Sequence, residues 1–329
     1  MSGPLERLGL HRPELRAWAM YDWANSVFMT TVLQVFQGYL DVAGGDRPRD
    51  VVTVRFAWAT AAAIILAGLM APVLGAMADF QGNKKKMLGL FLAIGVVATA
   101  GMYLIQRGDF VLALVLFVIG NVGATATLAF YNSLLPSIAR PDEVDRVSTA
   151  GFALGYLGGG ILLALNSFVI QSPERFGLAD QAAGMRLSFL SAAVWWALFS
   201  IPLFLRVPEP PRRLEAGEAG RQPLAVAFSR LKKTIGELRE HRDASFLLVA
   251  FLIYNDAINT IIRIAVRYGS ELGIPLSTLI AAILMVQFVG VPFAFAFGAL
   301  AGRIGAKRSI LLALGVYVAI TLVGFRMRT

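Results

Sequence analysis

The sequence of 329 residues contains no cysteine, and its two histidines are His11 and His241. Without cysteine there is no disulfide scaffold, iron–sulfur cluster, cysteine-ligated zinc or cysteine nucleophile. Two histidines leave little for a histidine-based metal site, so neither a metal nor a cofactor is expected. Catalysis inside a membrane would need converging His, Ser/Lys or Asp/Asp groups, and both histidines fall at or beyond the edges of the apolar segments. We therefore expect that the protein is not an enzyme.

Charged residues are scarce as well. They make up 16% of the chain, whereas soluble domains contain about 25%. Apolar residues make up 57%, which excludes an intrinsically disordered chain because disorder requires low hydrophobicity. This composition predicts a polytopic membrane protein whose first partner is the lipid bilayer.

Nine stretches are long and apolar enough to cross a membrane as helices, which takes about 20 residues each. They cover residues 17–39, 55–79, 87–105, 110–132, 148–170, 186–206, 244–267, 276–300 and 309–325. We therefore predict an all-α polytopic membrane protein with nine spans.

The 30 basic residues give a net charge of +9, which taken alone could indicate a nucleic-acid partner. Their distribution favours another explanation. With the N-terminus inside, the inner connections hold 20 of the 30 and the outer ones hold nine. Cytoplasmic loops of membrane proteins carry such an excess of Lys and Arg. We predict a multi-pass protein of the plasma (inner) membrane with a cytoplasmic N-terminus, an outside C-terminus and no nucleic-acid partner.

One long connection divides the chain into a six-span unit, residues 1–206, a cytoplasmic linker, residues 207–243, and a three-span unit, residues 244–329. The linker opens with prolines and small residues, which favours a flexible segment. An apolar stripe at helical spacing follows: Leu224, Phe228, Leu231, Ile235 and Leu238. Basic residues accompany this stripe, so the helix either lies on the cytoplasmic leaflet or packs against neighbouring loops.

Two short patterns recur in the same order in both units. The pattern Asp-x-x-Asn-Ser/Thr occurs at residues 22–26 and 256–260, and residues 75–85 correspond to residues 298–308. Two parallel repeats joined by a cytoplasmic linker are typical of secondary transporters.

The segment that follows the second span reads Gly75-x-x-x-Asp79-x-x-Gly82-x-Lys84-Lys85. It is similar to the signature of the major facilitator superfamily, in which the motif's Asp latches the outward-facing state against helix 11. Gly75 would let two helices approach, Asp79 could accept hydrogen bonds from a helix N-terminus, and Gly82 permits a tight turn. Lys84 and Lys85 would hold the loop inside. The alternative is a plain basic loop with no role in conformational switching.

Four further segments, residues 17–26, 131–136, 146–148 and 155–159, resemble the vacuole-effluxer branch of that superfamily, which is named for an autophagy-related yeast amino-acid exporter. The resemblance covers about residues 13–325. It implies twelve helices in two six-helix bundles and transport by alternating access. It also implies amino-acid efflux for the fungal member, whereas bacterial relatives have mostly unassigned substrates.

The chain departs from that pattern after the linker, where three helices stand in place of six. We expect a major-facilitator-like fold with a complete six-helix N-terminal bundle plus three helices of the second bundle. A frameshifted or truncated gene, or an early stop, would account for this, and we favour a C-terminal truncation over a real nine-span protein. A truncated chain could be a non-transporting membrane protein or a scaffold.

Asp22 lies within the first span, and Asn25 and Ser26 follow one turn later on the same face. A charge in the bilayer costs roughly 2.5–3.5 kcal/mol and therefore calls for a reason. The functional hypothesis is a substrate or proton site that faces a central cavity. The structural alternative is a bond from Asp22, near the membrane edge, to Arg16 or to a neighbouring helix end.

Asp256, Asn259 and Arg263 form a second polar stripe, in the seventh span. Asp256 and Arg263 are about 10 Å apart along the helix axis. One could therefore bind an ammonium group and the other a carboxylate of a zwitterionic substrate. The alternative is structural ion pairing with other helices.

Other polar and small residues in the spans favour helix packing. Amides are expected to bond across helices: Asn121, Asn132, Asn166 and Gln287. Glycines of the fifth span allow close helix approach: Gly155, Gly158, Gly159 and Gly160.

These features predict a secondary active transporter of the major facilitator type that moves a small polar solute by alternating access. Amino acids are one candidate class of solute, and protons are the expected coupling ion. The expected partners are lipid, a small-molecule substrate and protons, with the monomer as the default state.

Overall fold

The computed structural model describes residues 3–212, 214–215, 217–218 and 220–326. Residues 1–2, 213, 216, 219 and 327–329, which belong to the three predicted units, lie outside the described residues. The α-helices are α1 (Pro4–Arg7), α2 (Pro13–Val27), α3 (Leu33–Gly44), α4 (Arg49–Gln81), α5 (Lys84–Gly101), α6 (Phe110–Ile138), α7 (Val144–Gln171), α8 (Gln181–Arg206), α9 (Pro223–Glu240), α10 (Arg242–Glu271), α11 (Leu276–Ile304) and α12 (Ala306–Arg326).

Eight helices in the described part of the chain are long and apolar enough to span a membrane: α4 to α8 and α10 to α12. The first predicted span, residues 17–39, is helical as well, but it consists of α2, a five-residue π-helix (Phe28–Val32) and α3. Every predicted span coincides with one of these helical segments to within a few residues. The predicted all-α architecture is confirmed, with its first segment divided by the π-helix.

The π-helix interrupts the first span directly after the predicted polar site. Thr30 Oγ1 donates a hydrogen bond to the carbonyl oxygen of Ser26, four residues earlier, at 2.9 Å. Bonds of this kind bend helices, and single π-turns inside α-helices are frequent at functional sites. The π-helix therefore begins two residues after Ser26, at the end of the predicted polar site.

The core of the first unit surrounds this divided helix. α2 packs along α7 and α8, and α6 packs between α4 and α5. Large aromatic side chains fill the space between them: the rings of Phe36 and Phe117 stack at 4.8 Å, and those of Trp18 and Tyr131 stack at 4.3 Å. Because these side chains are almost fully buried, the positions of the six helices are set by packing within the first unit.

Glycines of α7 allow it to approach its neighbours closely. A Cβ on Gly158 would lie 2.7 Å from the carbonyl oxygen of Trp23 in α2. Cβ atoms on Gly159 and Gly160 would lie 3.2 and 3.1 Å from atoms of Gln287 in α11. The predicted role of these glycines in close helix packing is confirmed.

Substituting Gly158→Ala is expected to destabilise the first unit by about 1–3 kcal/mol, because the added methyl overlaps a backbone carbonyl that cannot rotate away. Gly68→Ala in α4 is the matched control, since a Cβ there would meet no atom within 4 Å. Thermal unfolding in detergent should show a lower Tm for Gly158→Ala and an unchanged or higher Tm for Gly68→Ala. Equal Tm values for both variants would contradict the packing argument.

The second unit, α10 to α12, meets the first mainly where α10 lies against α3 and α11 lies against α7. α11 and α12 are connected through Gly305 (φ +85°), just as α4 and α5 are connected through Gly82 (φ +66°). Glycine adopts such positive φ angles without strain. A glycine with positive φ therefore stands at the matching position of residues 75–85 and 298–308, although the ψ angles differ (40° and 154°).

The linker, predicted as residues 207–243, contains the amphipathic helix α9. Val226 and Ala227 are buried where α9 packs against α4. Leu224, Phe228 and Ile235, three members of the predicted apolar stripe, remain exposed. One face of α9 therefore packs on helix α4, and not on loops as the predicted alternative had it. Contact of the exposed stripe residues with the cytoplasmic leaflet stays a prediction.

Candidate functional site

Asp22 lies in α2, where the first unit is tightly packed. It is 7% exposed. A Cβ on Gly151 of α7 would lie 2.9 Å from Asp22 Oδ2 and 3.4 Å from the Tyr131 hydroxyl, so both groups face the same glycine. The missing side chain at Gly151 leaves the room that the carboxylate occupies.

Aromatic residues fix the position of Tyr131 beside this carboxylate. The Tyr131 ring stacks on Trp18 at 4.3 Å and packs against Tyr21 at 5.0 Å. Trp18 Nε1 donates to the Tyr131 carbonyl oxygen at 3.0 Å. Among the described residues, no cationic group lies within 4 Å of the Asp22 carboxylate, so the alternative of an ion pair with Arg16 is not formed.

Asn25 and Ser26 continue the polar face of α2. Asn25 Oδ1 accepts a hydrogen bond from Thr127 Oγ1 of α6 at 3.5 Å. Ser26 Oγ faces Gly155 of α7, whose Cβ would lie 2.5 Å away. Asp22, Asn25 and Ser26 share one face of α2, as their spacing predicts, and that face meets α6 and α7 of the first unit.

The second predicted stripe is divided between an exposed and a buried part of α10. Asp256 is exposed, and half-buried Asn259 donates from Nδ2 to the Asn255 carbonyl oxygen at 2.8 Å. Arg263 is 8% exposed, and its Nη1 donates to Asn121 Oδ1 of α6 at 3.3 Å. The structure brings Arg263 to the interface between the two units and leaves Asp256 outside it.

Arg267, one turn further along α10, joins the two units. Its Nη1 donates to Asp41 Oδ1 of α3 at 2.8 Å, and its Nε donates to Thr53 Oγ1 of α4 at 2.7 Å. Its Nη2 donates to the Arg49 carbonyl oxygen at 3.2 Å, and its backbone N–H donates to Gln37 Oε1 at 3.0 Å. We call these five residues the Arg267 cluster.

Sequence reasoning missed the Arg267 cluster because Arg267 is the last residue of the predicted seventh span and was counted with the outer basic residues. The available signal was its spacing: Arg267 follows Arg263 by four residues and therefore lies on the same helix face. Asp41 gave no comparable signal, because nothing in the sequence indicates which helix approaches the end of α3.

The motif between α4 and α5 forms contacts within the first unit. Lys84 Nζ, at the start of α5, lies 2.7 Å from Asp79 Oδ1. Gly82 ends α4 with a left-handed backbone, which is the predicted tight turn. The predicted close helix approach at Gly75 is wrong, because a Cβ there would meet no atom within 4 Å in the described structure.

Lys85 connects this motif to the beginning of the linker. Its Nζ donates to the carbonyl oxygens of Phe204 and Val207, at the end of α8, at 2.9 and 2.6 Å. Its backbone N–H donates to Glu209 Oε1 at 3.0 Å. A cation at the C-terminus of a helix is favoured by the helix dipole, so Lys85 holds the linker against the motif.

Arg212 provides a second contact between the linker and the motif. Its Nε donates to the Phe80 carbonyl oxygen at 2.6 Å, and its guanidinium lies 4.6 Å from the centre of the Phe80 ring. A Cβ on Gly82 would lie 3.1 Å from the Arg212 backbone. The sequence predicted a flexible segment here and did not indicate that it packs on the motif.

Most of the chain matches one known protein family. The family described as vacuole effluxer Atg22-like matches residues 51–326. The chain belongs to this family. It is 29% identical over 320 residues to the uncharacterized MFS-type transporter YxiO of Bacillus subtilis, an alignment that covers 95% of this chain and 73% of YxiO.

A fungal relative and a solved structure extend the comparison. Autophagy-related protein 22-1 of Penicillium rubens is 22% identical, over 84% of this chain and 58% of that protein. The structure of the xylose transporter XylE from E. coli, in a partially occluded inward-open conformation, is similar with a TM-score of 0.55 and 14% identity, over 93% of this chain and 75% of XylE. The likeness to XylE confirms the major-facilitator-like fold. This Atg22-like chain is therefore a multi-pass membrane protein of an MFS-type transporter family.

The linker of this Atg22-like chain is also anchored by an ion pair outside the membrane spans. Glu218 Oε1 accepts from Arg230 Nε at 2.8 Å, and Glu218 Oε2 accepts from Arg230 Nη2 at 2.6 Å. The Arg230 guanidinium and, after it, the backbone N–H of Glu215 lower the pKa of Glu218 from 4.5 to about 2. The pair ties the linker segment that precedes α9 to α9 itself.

This pKa predicts how docking of α9 depends on pH. Because the pKa of Glu218 is lowered by folding, its contribution is fully present above pH 4.5 and is lost as the pH falls through about 2. Spin labels at Lys86 and Lys232 should keep one distance from pH 7 to pH 4.5 and show a broader distribution near pH 2. Glu218→Gln should broaden the distribution already at pH 7, and an unchanged distribution in that variant would contradict the anchoring role.

Proposed function

We propose that the chain acts as a secondary active transporter of the major facilitator type, which moves a small polar solute by alternating access and is driven by protons. The Arg267 cluster carries this proposal, because it is a polar contact that joins two repeat-related units at one end. Alternating access requires contacts between units that break and re-form between discrete arrangements. Charged contacts at helix ends meet this requirement, since water can replace them when the units separate.

The two ends of the units differ in a way that suits this cycle. The Arg267 cluster lies at the predicted outer end, where it ties α10 to α3 and α4. At the predicted inner end, Asp79 is paired with Lys84 of its own unit. We interpret this arrangement as closed to the outside, with the motif released from the second unit.

Asp22 is the proposed proton site. It is buried, lacks a counter-ion among the described residues and lies beside the Tyr131 hydroxyl. A buried carboxylate without a cationic partner is energetically expensive and is a common element of proton relays in membrane proteins. Asn25 and Ser26 are proposed as its neighbours in the same site, and Asp256, Asn259 and Arg263 as solute contacts from the second unit.

The location is proposed from the distribution of basic residues. The excess of basic residues in the predicted inner connections supports a plasma-membrane protein with a cytoplasmic N-terminus. Amino acids are the first candidate solutes, and the monomer is the proposed state. The expectation of no enzymatic activity stays a prediction. A non-transporting membrane protein or scaffold is the alternative function.

Reconstitution into proteoliposomes separates these functions. Under an imposed pH gradient, the wild-type chain should move protons, reported by an enclosed pH-sensitive dye, when one of the twenty proteinogenic amino acids is supplied. Radiolabelled exchange of the active amino acid would confirm transport. Folded and inserted protein that shows neither flux nor exchange would favour the scaffold alternative.

A further inference from the structure

Arg263 is a buried cation whose hydrogen-bonding capacity is only partly used. It is 8% exposed, and no carboxylate of the described residues lies within 4 Å of its guanidinium. Its single hydrogen bond in the described structure goes to Asn121 Oδ1 at 3.3 Å, and its buried Nε has no partner. Buried charges in proteins are normally paired, because an isolated ion loses its hydration without compensation.

Asn121, on the other side of the unit interface, has a free donor as well. It is 1% exposed, and its Oδ1 accepts hydrogen bonds from both Arg263 Nη1 and Thr125 Oγ1. Its buried Nδ2 has no hydrogen-bond partner in the described structure. Two unpartnered donors, one cationic and one neutral, therefore belong to residues that bond each other across the two units.

Arg267 lies on the same helix face as Arg263, and carboxylates of the protein pair with its guanidinium. Its guanidinium lies 2.8 Å from Asp41 and 3.4 Å from Glu271. Arg263 is one turn away, is buried to a similar extent and has no such carboxylate. The difference between these two arginines points to a ligand at Arg263 rather than to a purely structural role.

We infer that Arg263 and Asn121 together form a subsite for the carboxylate group of a solute that carries a single carboxylate and binds between the two units. This inference rests on the proposed transport function and names its substrate class. A carboxylate presents two oxygens that can accept separate N–H donors, and guanidinium groups suit this geometry. One cation balances one carboxylate group, whereas a doubly charged group such as the phosphate dianion would leave a buried net charge.

The position of the subsite means that a bound carboxylate connects the two units. Arg263 belongs to α10 and Asn121 to α6, so a carboxylate held by both residues bridges the units one turn from the Arg267 cluster. A solute that contacts both units can favour one arrangement over the other only through such differential contacts. Asn121, which the sequence suggested as a packing residue, is thus assigned to specificity.

Binding can be tested without transport, by thermal unfolding of the purified chain in detergent. The probes are the twenty proteinogenic amino acids, acetate, lactate, inorganic phosphate, and the carboxamide of every carboxylate that raises the Tm. At least one carboxylate should raise the Tm, and its carboxamide should not. Arg263→Gln should weaken its binding by at least about tenfold. Arg303→Gln, which changes an exposed arginine of α11, is the matched control and should bind like wild type.

Asn121→Asp supplies a second test, because this variant should affect the stability of the protein and its response to the ligand in opposite directions. The new carboxylate would pair with Arg263, so the unliganded protein should have a higher Tm and should no longer respond to the probe. Three outcomes would overturn the subsite: no carboxylate stabilises the wild type, the carboxamide or phosphate stabilises it equally well, or Arg263→Gln retains the response. Binding that depends on Arg263 without any transport would overturn the proposed function alone, and transport with Arg263-independent binding would overturn the subsite alone.

Discussion

Asp22→Asn is expected to abolish proton-driven transport and to leave membrane insertion and folding intact. Asparagine has nearly the same shape as aspartate, so it fits the space opposite Gly151 and beside the Tyr131 hydroxyl. The amide side chain of asparagine cannot take up and release a proton during the transport cycle. Proton movement is therefore no longer coupled to transport. Solute-driven proton flux in proteoliposomes should fall to the level of protein-free vesicles.

Exchange without a gradient distinguishes loss of coupling from loss of structure. Radiolabelled solute exchange should persist in Asp22→Asn if Asp22 carries the proton, and it should be lost if Asp22 contacts the solute. Asp142→Asn, at an exposed carboxylate of the loop before α7, is the matched control and should transport normally. Full proton-driven transport by Asp22→Asn would refute the proposed role of Asp22.

Arg267→Gln is expected to open the predicted outer end of the interface between the units. Removing one partner of a buried ion pair costs about 3–5 kcal/mol, and the partial exposure of Asp41 reduces this to about 2 kcal/mol. A change of about 2 kcal/mol alters the ratio of the closed and open arrangements by about thirtyfold. Transport should slow as well, because the closed arrangement is one of the two states that the cycle requires.

Cysteine labelling can measure this opening, since the natural chain contains no cysteine that would react. Leu276 is a suitable reporter, because its side chain packs against Gly38 of α3 at the interface. Leu276→Cys should react faster with a membrane-impermeant maleimide in the Arg267→Gln background. Arg55→Gln, which changes an exposed arginine of α4 outside the Arg267 cluster, is the control. Equal labelling rates in all three backgrounds would show that the Arg267 cluster does not hold the interface closed.

Features that depend on local sequence were predictable. Membrane spans were found because about 20 consecutive apolar residues suffice to cross a bilayer, whatever their neighbours. The turn at Gly82 was found because a tight reversal needs a residue that tolerates positive φ. The shared polar face of Asp22, Asn25 and Ser26 follows from helical periodicity alone.

Features that depend on the neighbouring helix were not predictable. Gly75 and Gly158 are both glycines within spans, yet of these two only Gly158 lies close to the backbone of another helix. Asp256 and Arg263 belong to one sequence stripe, but the buried residues of α10 lie in its second half, so Asp256 remains exposed. The linker looked flexible by composition, and its packing on the motif depends on Phe80 and Lys85 from distant parts of the chain.

The sequence by itself determined that this protein is an all-α membrane protein, where its helices run, and that its two units carry related motifs. Hydropathy and helical periodicity act over a few turns, so they can be read without knowing the fold. Only the tertiary structure decided that Arg267 is satisfied by Asp41 while Arg263 retains an unpartnered donor beside Asn121. The energy of a buried charge depends on the groups that surround it in space, and those groups lie 142 to 226 residues away along the chain.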